Sequence, residues 1–496
     1  SSEGDLSHII EDYDKLSHPP ATFRQERVKA EIRLPAARRF VAEERLNEFF
    51  DGDLKALGLI VQGGLYNNLL RALQAIGLAD LFGATRIPIL VLNVVYPLVP
   101  EEIGGFCSGR RAVLVVEEGQ PEFIEQDVAT ILRRGDVPAK LHGKDLLKVT
   151  GEYTVEVMVR GLAGFLSRHA PSVDARPGTK WLELADRTRR SAHAALGAPV
   201  PARPPGFCIG CPERPVFAAL KLAGREIGQP HVSADIGCHA FGTLEPFSMG
   251  NTILGYGMSL ASSAAVAPMM ARRPIAIMGD GGFWHNGLLS GVASSLLNRG
   301  DAVLVIMKNG YSSATGTQEL LSSEARSDQS IERALAGVGV QWVRTVDNYR
   351  VGAVADTLKE AMTTKYQGLK VVIAEGECEL ERQRRLRPQV AAALAAGQRE
   401  VRVKYGVDED TCTGDHSCIR LSGCPTLTVR DNPDPLRSDP VATVIEGCVG
   451  CGLCGENAHA AVLCPSFYRA EVVQNPNAWD LLLARLRGWI HGTAIH

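Results

Sequence analysis

The feature that most restricts this chain is a repeated local pattern: continuous apolar runs of strand length, set between stretches whose apolar residues recur at helical spacing. "LGLIV" precedes "LYNNLLRALQAIG", then come "IPILVLNVV" and "RAVLVVEEG", and then "PEFIEQDVATILRRG". A strand apolar on both faces must be covered on both, and an amphipathic helix has one face to give. The pattern therefore predicts parallel sheets sandwiched between helices. A second block repeats it with "RPIAIMGDGG", "NGLLSGVASSLLNRG", "AVLVIMKN" and "GLKVVIAEGECE". The fold class expected is α/β, two parallel-sheet domains, with a small α+β cysteine-rich domain after them.

Charge separates classes of partner. With 53 basic against 56 acidic side chains over 496 residues, nothing global attracts nucleic acid or an anionic membrane. No eighteen uncharged apolar residues run together, which argues against a membrane span. The first residues, "SSEGDLSHIIEDYDKLSH", lack the pattern of a secretion signal. A cytoplasmic protein is the expectation. Residues 1–50 read as a helical lead-in, with "RRFVAEERLNEFF" at helical spacing, and "GAPVPARPPG" (197–206) reads as linker because prolines neither continue a helix nor pair in a sheet.

The segment "IAIMGDGG", helix, "AVLVIMKN" localises a site. A right-handed strand–helix–strand crossover delivers the carboxyl ends of both strands to one sheet edge, so Asp280 and Asn309 are expected side by side. A carboxylate and an amide oxygen, with a backbone carbonyl near Tyr311, suit Mg²⁺ holding a diphosphate. Gly279, Gly281 and Gly282 permit close backbone approach, and the helix start offers N–H groups to anionic oxygens. There is neither a Gly-x-x-x-x-Gly-Lys-Ser/Thr loop nor a Gly-x-Gly-x-x-Gly fingerprint between strand and helix. Thiamine diphosphate is the reading, against an ordinary Gly-rich turn.

Twelve cysteines are present, seven of them from Cys412 to Cys464. In a large chain without a secretion signal such clustering favours metal or redox chemistry over disulfides. One run has Cys412, Asp415 and Cys418, then Cys424-Pro425; the other has Cys448, Cys451 and Cys454, then Cys464-Pro465. In two-cluster ferredoxins the remote Cys-Pro of each run reaches the other cube. Cys448, Cys451, Cys454 and Cys424 are thus expected to hold one [4Fe-4S] cluster. Cys412, Cys418 and Cys464 hold the second, with Asp415 facing its fourth iron, as a ligand or leaving that iron labile. A pair of zinc sites is the alternative.

The stretches "GFCIGCPERPVFAALK", "DIGCHAFG", "GDGGFWHNG" and "NGYSSATG", together with "VLVVEEGQPEFIEQDV" and the cysteine-rich tail, resemble the large subunit of the indolepyruvate ferredoxin oxidoreductase family. That family lies within the 2-oxoacid:ferredoxin oxidoreductase superfamily. The resemblance implies oxidative decarboxylation of an aryl 2-oxoacid, with coenzyme A as acceptor and ferredoxin as electron sink. It implies a transketolase C-terminal-like domain over 51–170, a linker over 171–206, a thiamine diphosphate-binding domain over 207–403, a two-cluster ferredoxin-like domain over 404–475 and a C-terminal helix over 476–496. It also implies a third, proximal [4Fe-4S] cluster on Cys208, Cys211, Cys238 and Cys378, with buried apolar thiols as the alternative.

Family members usually begin with a domain that binds the aminopyrimidine ring. Its absence here leads to the expectation of a separate chain supplying it, or of a fragment, and of a gamma-type partner subunit. Glu117 and Glu118 are not assigned that domain's role. Another 2-oxoacid, or an electron-transfer subunit without its own turnover, are the alternatives in function. Gly237 and Cys238 join the cofactor-binding residues. His285 and His239 are candidate proton-handling residues, or simply hydrogen-bond their turns. Phe283 and Trp284 line an aromatic pocket or pack in the core. Cys107 is read as structural, and "RQRRLR" as a solvated helix face or a ferredoxin-docking patch.

Overall fold

A computed structural model describes residues 17–197, 205–323 and 329–491. The chain divides into two compact units, Ser1–Pro201 and Ala202–His496, and the division falls within the Pro-rich stretch.

The first unit holds a five-stranded sheet in the order Glu48–Phe50, Ile89–Leu92, Leu57–Gln62, Ala112–Val116, Lys140–His142. All neighbours pair in parallel except Glu48–Phe50, which runs antiparallel at the edge. Every residue of Ile89–Leu92 and Ala112–Val116 is buried, as strands covered on both faces require. One face packs under the helices Tyr66–Ile76 and Val155–His169, the other under Pro100–Cys107 and Phe123–Arg134. Cys107 is a core thiol in the second layer. Glu117 accepts the backbone N–H groups of Ile124 and Glu125, so it caps a helix.

Two boundary expectations are corrected. The lead-in is helical over Ala21–Val28, Lys29–Arg33 and Leu34–Glu43, but Glu48–Phe50 belongs to the sheet; residues 1–16 lie outside the described ones. The stretch 171–206 is not all linker. It contains the helix Arg176–Leu196, whose Trp181 and Leu182 pack on the core of this unit. At Gly178 a Cβ would lie 2.8 Å from Ile76 Cγ1, so the absence of a side chain allows the close approach. Proline near the helix start is compatible with helix; the breaking prolines come only after Gly197, whose φ of +70° ends it.

The second unit holds a six-stranded sheet, parallel throughout, in the order Trp342–Asp347, Lys370–Glu375, Val303–Lys308, Ile275–Gly279, Val232–Ala234, Thr252–Ile253. The cysteine-rich region is α+β. Glu400–Val407 pairs antiparallel with Phe467–Gln474, and Leu427–Arg430 with Val441–Val444, beside the helices Ser417–Ser422 and Leu453–Val462. The boundary expected at 404 therefore falls inside a strand. Leu421 and Leu453 of this region share one core with Phe207, Phe217 and Phe247 of the preceding block, so 207–403 and 404–475 are not separate globules. The closing helix is Ala478–His491, tied by the Arg399–Asp480 ion pair at 2.7 Å; residues 492–496 lie outside the described ones. Among the described residues no helix is long and apolar enough to cross a membrane.

Phe217 is fully buried, its ring 5.7 Å from Phe207 and 5.6 Å from Phe247. A Phe217→Ala exchange is expected to cost about 3–5 kcal/mol. Hydrogen exchange should then quicken together in 205–323 and 417–462 and stay unchanged in 57–166; acceleration confined to the first segment would show two independent cores.

Candidate active site

In an open parallel sheet the ligand crevice forms at the carboxyl ends of the strands, where successive connections leave in opposite directions. Here the chain moves from Val232–Ala234 to the edge strand Thr252–Ile253, and from Ile275–Gly279 the opposite way to Val303–Lys308. Asp235 follows the first of these strands, Asp280 and Asn309 the next two. The parallel register pairs Gly279 with Met307, so Asp280 and Asn309 emerge together as expected. Asp280 Oδ2 accepts the N–H groups of Asn309 at 2.9 Å and Gly310 at 2.7 Å, and Oδ1 accepts that of Gly281 at 2.9 Å.

A cavity of roughly 280 Å³ opens at this edge, lined among others by Gly237, Cys238, His239, Tyr256, Asp280 and Tyr311. Its glycines are required by proximity. A Cβ on Gly281 would lie 2.2 Å from Tyr256 Oη, one on Gly282 would lie 2.3 Å from Asp235 Oδ2, and one on Gly237 would lie 2.5 Å from the His239 ring. The helix expected after the Gly-Asp-Gly turn begins at Asp280 itself and widens to π geometry over Phe283–Ala293, a form that recurs at functional sites. At Gly257, with φ of +78°, a Cβ would lie 2.6 Å from Gly282 O. The glycine lets a second loop press against the widened turn.

The electrostatics are dominated by burial. Asp280 is 1% exposed, and burial pushes its carboxyl up to about 7 against the pull of the backbone N–H donors. Asp235, holding the Gly257 N–H at 2.7 Å, is pushed up to about 6 for the same reason. Glu213 is pushed up to about 8 by burial and by the charge of Asp280, with the Asn309 amide, 3.1 Å away, opposing. His239 is held down to about 4 by burial, so its ring is neutral at pH 7. Both its nitrogens lack a hydrogen-bond partner, as does Glu213 Oε2, which lies 3.7 Å from His239 Nδ1.

Glu213 and Asp235 were not expected from sequence. The signal for Asp235 is the one that marks Asp280, an acid closing an apolar strand. For Glu213 it is a Glu-Arg pair set directly against the apolar run of "CPERPVFAALK". His285, by contrast, is not brought into the cavity: it is exposed, its ring 5.1 Å from that of Tyr256. Phe283 is fully buried in the core, and Trp284 donates to Ser322 Oγ at 2.9 Å.

The same edge gathers the four scattered cysteines. Cys378 N–H donates to Asn309 O at 3.1 Å, Cys238 follows Asp235, and Cys208 and Cys211 precede the helix Arg214–Ile227. The thiol of Cys238 interacts with those of Cys208 and Cys378, and Cys211 with Cys238. The two terminal runs cross over as well. Cys418 interacts with Cys464, Cys412 and Asp415, while Cys454 interacts with Cys451, Cys424 and Cys448. Thr426 Oγ1 lies 3.2 Å from Cys424 Sγ, and Ser466 Oγ 3.5 Å from Cys464 Sγ. The two Cys-Pro turns thus have matching hydroxyl contacts. Asp415 accepts from Ser417 Oγ. Among the described residues, no three His, Cys, Asp or Glu side chains are closed around a point as a single metal ion requires.

The fit to a diphosphate and a hard cation is tested by these side chains. Asp280 and Asn309 supply oxygens of the type Mg²⁺ takes, the glycine-lined floor would be filled by any Cβ, and His239 presents unengaged nitrogens. The residues present fit.

Residues 235–374 match the family model for the thiamine pyrophosphate enzyme, C-terminal TPP binding domain. The chain is 28% identical to the indolepyruvate oxidoreductase subunit IorA of Methanothermobacter thermautotrophicus, over 92% of this chain and 67% of that protein. It is 29% identical to IorA of Thermococcus kodakarensis, over 80% of this chain and 59% of that protein. A solved 2-oxoglutarate:ferredoxin oxidoreductase from Magnetococcus marinus aligns with 36% of this chain and 66% of that one, at 17% identity and a TM-score of 0.30. The chain spans 59–67% of the length of the curated relatives it matches. It is homologous to these IorA subunits.

Asp280 and Glu213 keep protons in the folded state that the unfolded chain has released, their ordinary values being 3.8 and 4.5. Their contribution to stability is complete below about pH 4 and is lost as pH rises through 7 and 8. Metal-free protein is therefore expected to lose stability between pH 6 and 8.5. Glu213→Gln should remove about 2–3 kcal/mol of that loss, read by urea unfolding at both pH values; an unchanged slope would show that Glu213 does not titrate there.

Proposed function

We propose that the chain is the thiamine diphosphate-binding, electron-transferring subunit of an aryl-2-oxoacid oxidoreductase of the indolepyruvate or phenylpyruvate type. Coenzyme A takes the acyl group, and ferredoxin or a similar carrier takes the electrons. The observation that carries this reading is the carboxyl-edge cavity, where Asp280 and Asn309 meet on a glycine floor inside the segment that matches the thiamine pyrophosphate domain.

The geometry supports the following roles. Asp280, Asn309 Oδ1 and a carbonyl at Tyr311 would hold Mg²⁺; Gly237, Gly279, Gly281 and Gly282 admit the diphosphate. When bound, thiamine diphosphate supplies the nucleophilic carbon and the electron sink for loss of CO₂. His239, neutral and with both nitrogens unengaged, can give or take one proton in the cavity. It is favoured for that part over His285, whose exposed ring lies tilted beside that of Tyr256. Cys208, Cys211, Cys238 and Cys378 would hold a proximal [4Fe-4S] cluster. Cys448, Cys451, Cys454 and Cys424 would hold a second, and Cys412, Asp415, Cys418 and Cys464 a third. The thiol neighbourhoods support each set. Such clusters take one electron each, which suits stepwise removal of the pair released by the oxidation. A gamma-type subunit and a pyrimidine-binding domain would complete the enzyme.

The anaerobic complex, isolated with its partner subunits and supplied with thiamine diphosphate and Mg²⁺, should carry about twelve iron atoms per chain. It should reduce viologen dye faster with indolepyruvate or phenylpyruvate than with pyruvate. Asp280→Ala should lower kcat/KM at least about 100-fold, roughly 2.7 kcal/mol, and abolish retention of the cofactor. About eight iron atoms would remove the proximal cluster, zinc in place of iron would remove all three, and no dye reduction with any 2-oxoacid would leave an electron-transfer subunit only. Asp415→Cys is expected to give a third cluster that keeps its fourth iron after mild oxidation, read by electron paramagnetic resonance; a signal identical to the parent's would show that Asp415 does not face that iron.

A further inference from the structure

Arg214 is among the largest fully buried side chains of the molecule, at 0% exposure. It opens the helix Arg214–Ile227, three residues after Cys211, and that helix packs against both Ser417–Ser422 and Leu453–Val462. One guanidinium nitrogen, Nη1, donates to Ser422 O at 3.1 Å, two residues before Cys424. Nε and Nη2 meet no oxygen or nitrogen acceptor, the Cys424 thiol being the side chain that bonds to this guanidinium, and among the described residues no carboxylate forms an ion pair with it. A guanidinium is always charged, and a buried charge without a partner costs several kcal/mol. Something anionic must therefore face it.

The groups around it are thiols. Its charge acts on Cys208 and Cys211 on one side and on Cys424 and Cys451 on the other. Tyr349, whose hydroxyl donates to Gly210 O at 2.6 Å, feels the charge of both Cys211 and Cys451.

We propose that Arg214 is the shared internal counter-charge of two cysteine-held redox centres, the Cys208/Cys211/Cys238/Cys378 set and the Cys424/Cys448/Cys451/Cys454 set. It acts as a positioning residue that raises their reduction potentials. This rests on the iron–sulfur reading above. Each centre gains one negative charge when it accepts an electron from the oxidised substrate, and a fixed cation between them stabilises that charge on either side.

The test is a redox titration of the anaerobic complex, followed by electron paramagnetic resonance, for the wild type, Arg214→Gln and Arg214→Lys. Arg214→Gln is expected to keep its iron and to lower the reduction equilibrium constant of at least one of the two centres tenfold or more. That is about 59 mV for a one-electron couple. Arg214→Lys, which keeps the charge, should move it by less than threefold. Iron-loaded Arg214→Gln with wild-type potentials overturns the proposal. If Arg214→Gln takes up no iron, Arg214→Lys decides: uptake upholds a requirement for charge, and failure shows that the side chain serves packing alone. Absence of iron from the wild type would instead overturn the iron–sulfur reading itself.

Discussion

The register of two parallel strands governs this molecule. Ile275–Gly279 and Val303–Lys308 pair from Ile275 with Val303 to Gly279 with Met307, and the residue that follows each strand is consequently fixed. A slip of one residue would reverse which side chains face which layer, and both layers are apolar cores. The cores therefore lock the register, the register delivers Asp280 against the N–H groups of Asn309 and Gly310, and the neighbouring strands deliver Asp235 and Cys378 to the same edge. The site is a consequence of sheet packing before it is a matter of any loop.

Placing several acids at such an edge has a cost that the local structure offsets. Asp280 and Asp235 each accept backbone N–H groups from a facing loop, which favours their charged forms, while burial favours the neutral ones. The acids are held near the point where a cation or a proton can decide their state, a condition typical of functional sites. Glu213, bound to the Asn309 amide, extends this network toward the cysteines.

What could be read from sequence was what local periodicity and spacing encode. The apolar runs gave strands, the strand ends gave Asp280 and Asn309, and cysteine spacing gave the two terminal sets, while the Cys208, Cys211, Cys238 and Cys378 set came only from the family resemblance. What escaped depends on tertiary packing. Nothing in "RPGTKWLELADRTRR" next to a Pro-rich stretch announces a docked helix until Ile76 is seen against Gly178. Nothing in "FWHNG" separates Phe283, which goes into the core, from His285, which faces out. Glu213 and Arg214 stood beside cysteines that drew attention to themselves. A charged pair whose neighbours all bury reads as a helix start until the surrounding shell is known.

The core shared by Phe217, Leu421 and Leu453 bears on how a redox group in the cysteine-rich region could work. A carrier on a tether delivers electrons by swinging, and its rate follows linker length and solvent viscosity. Here the cysteine-rich helices are packed into the same interior as the strands that form the cavity. Distances between the cavity and the nearer cysteines are set by close packing, so any redox group held there would be fixed in place rather than tethered, and the region cannot be exchanged for another such region without rebuilding the interior beneath it.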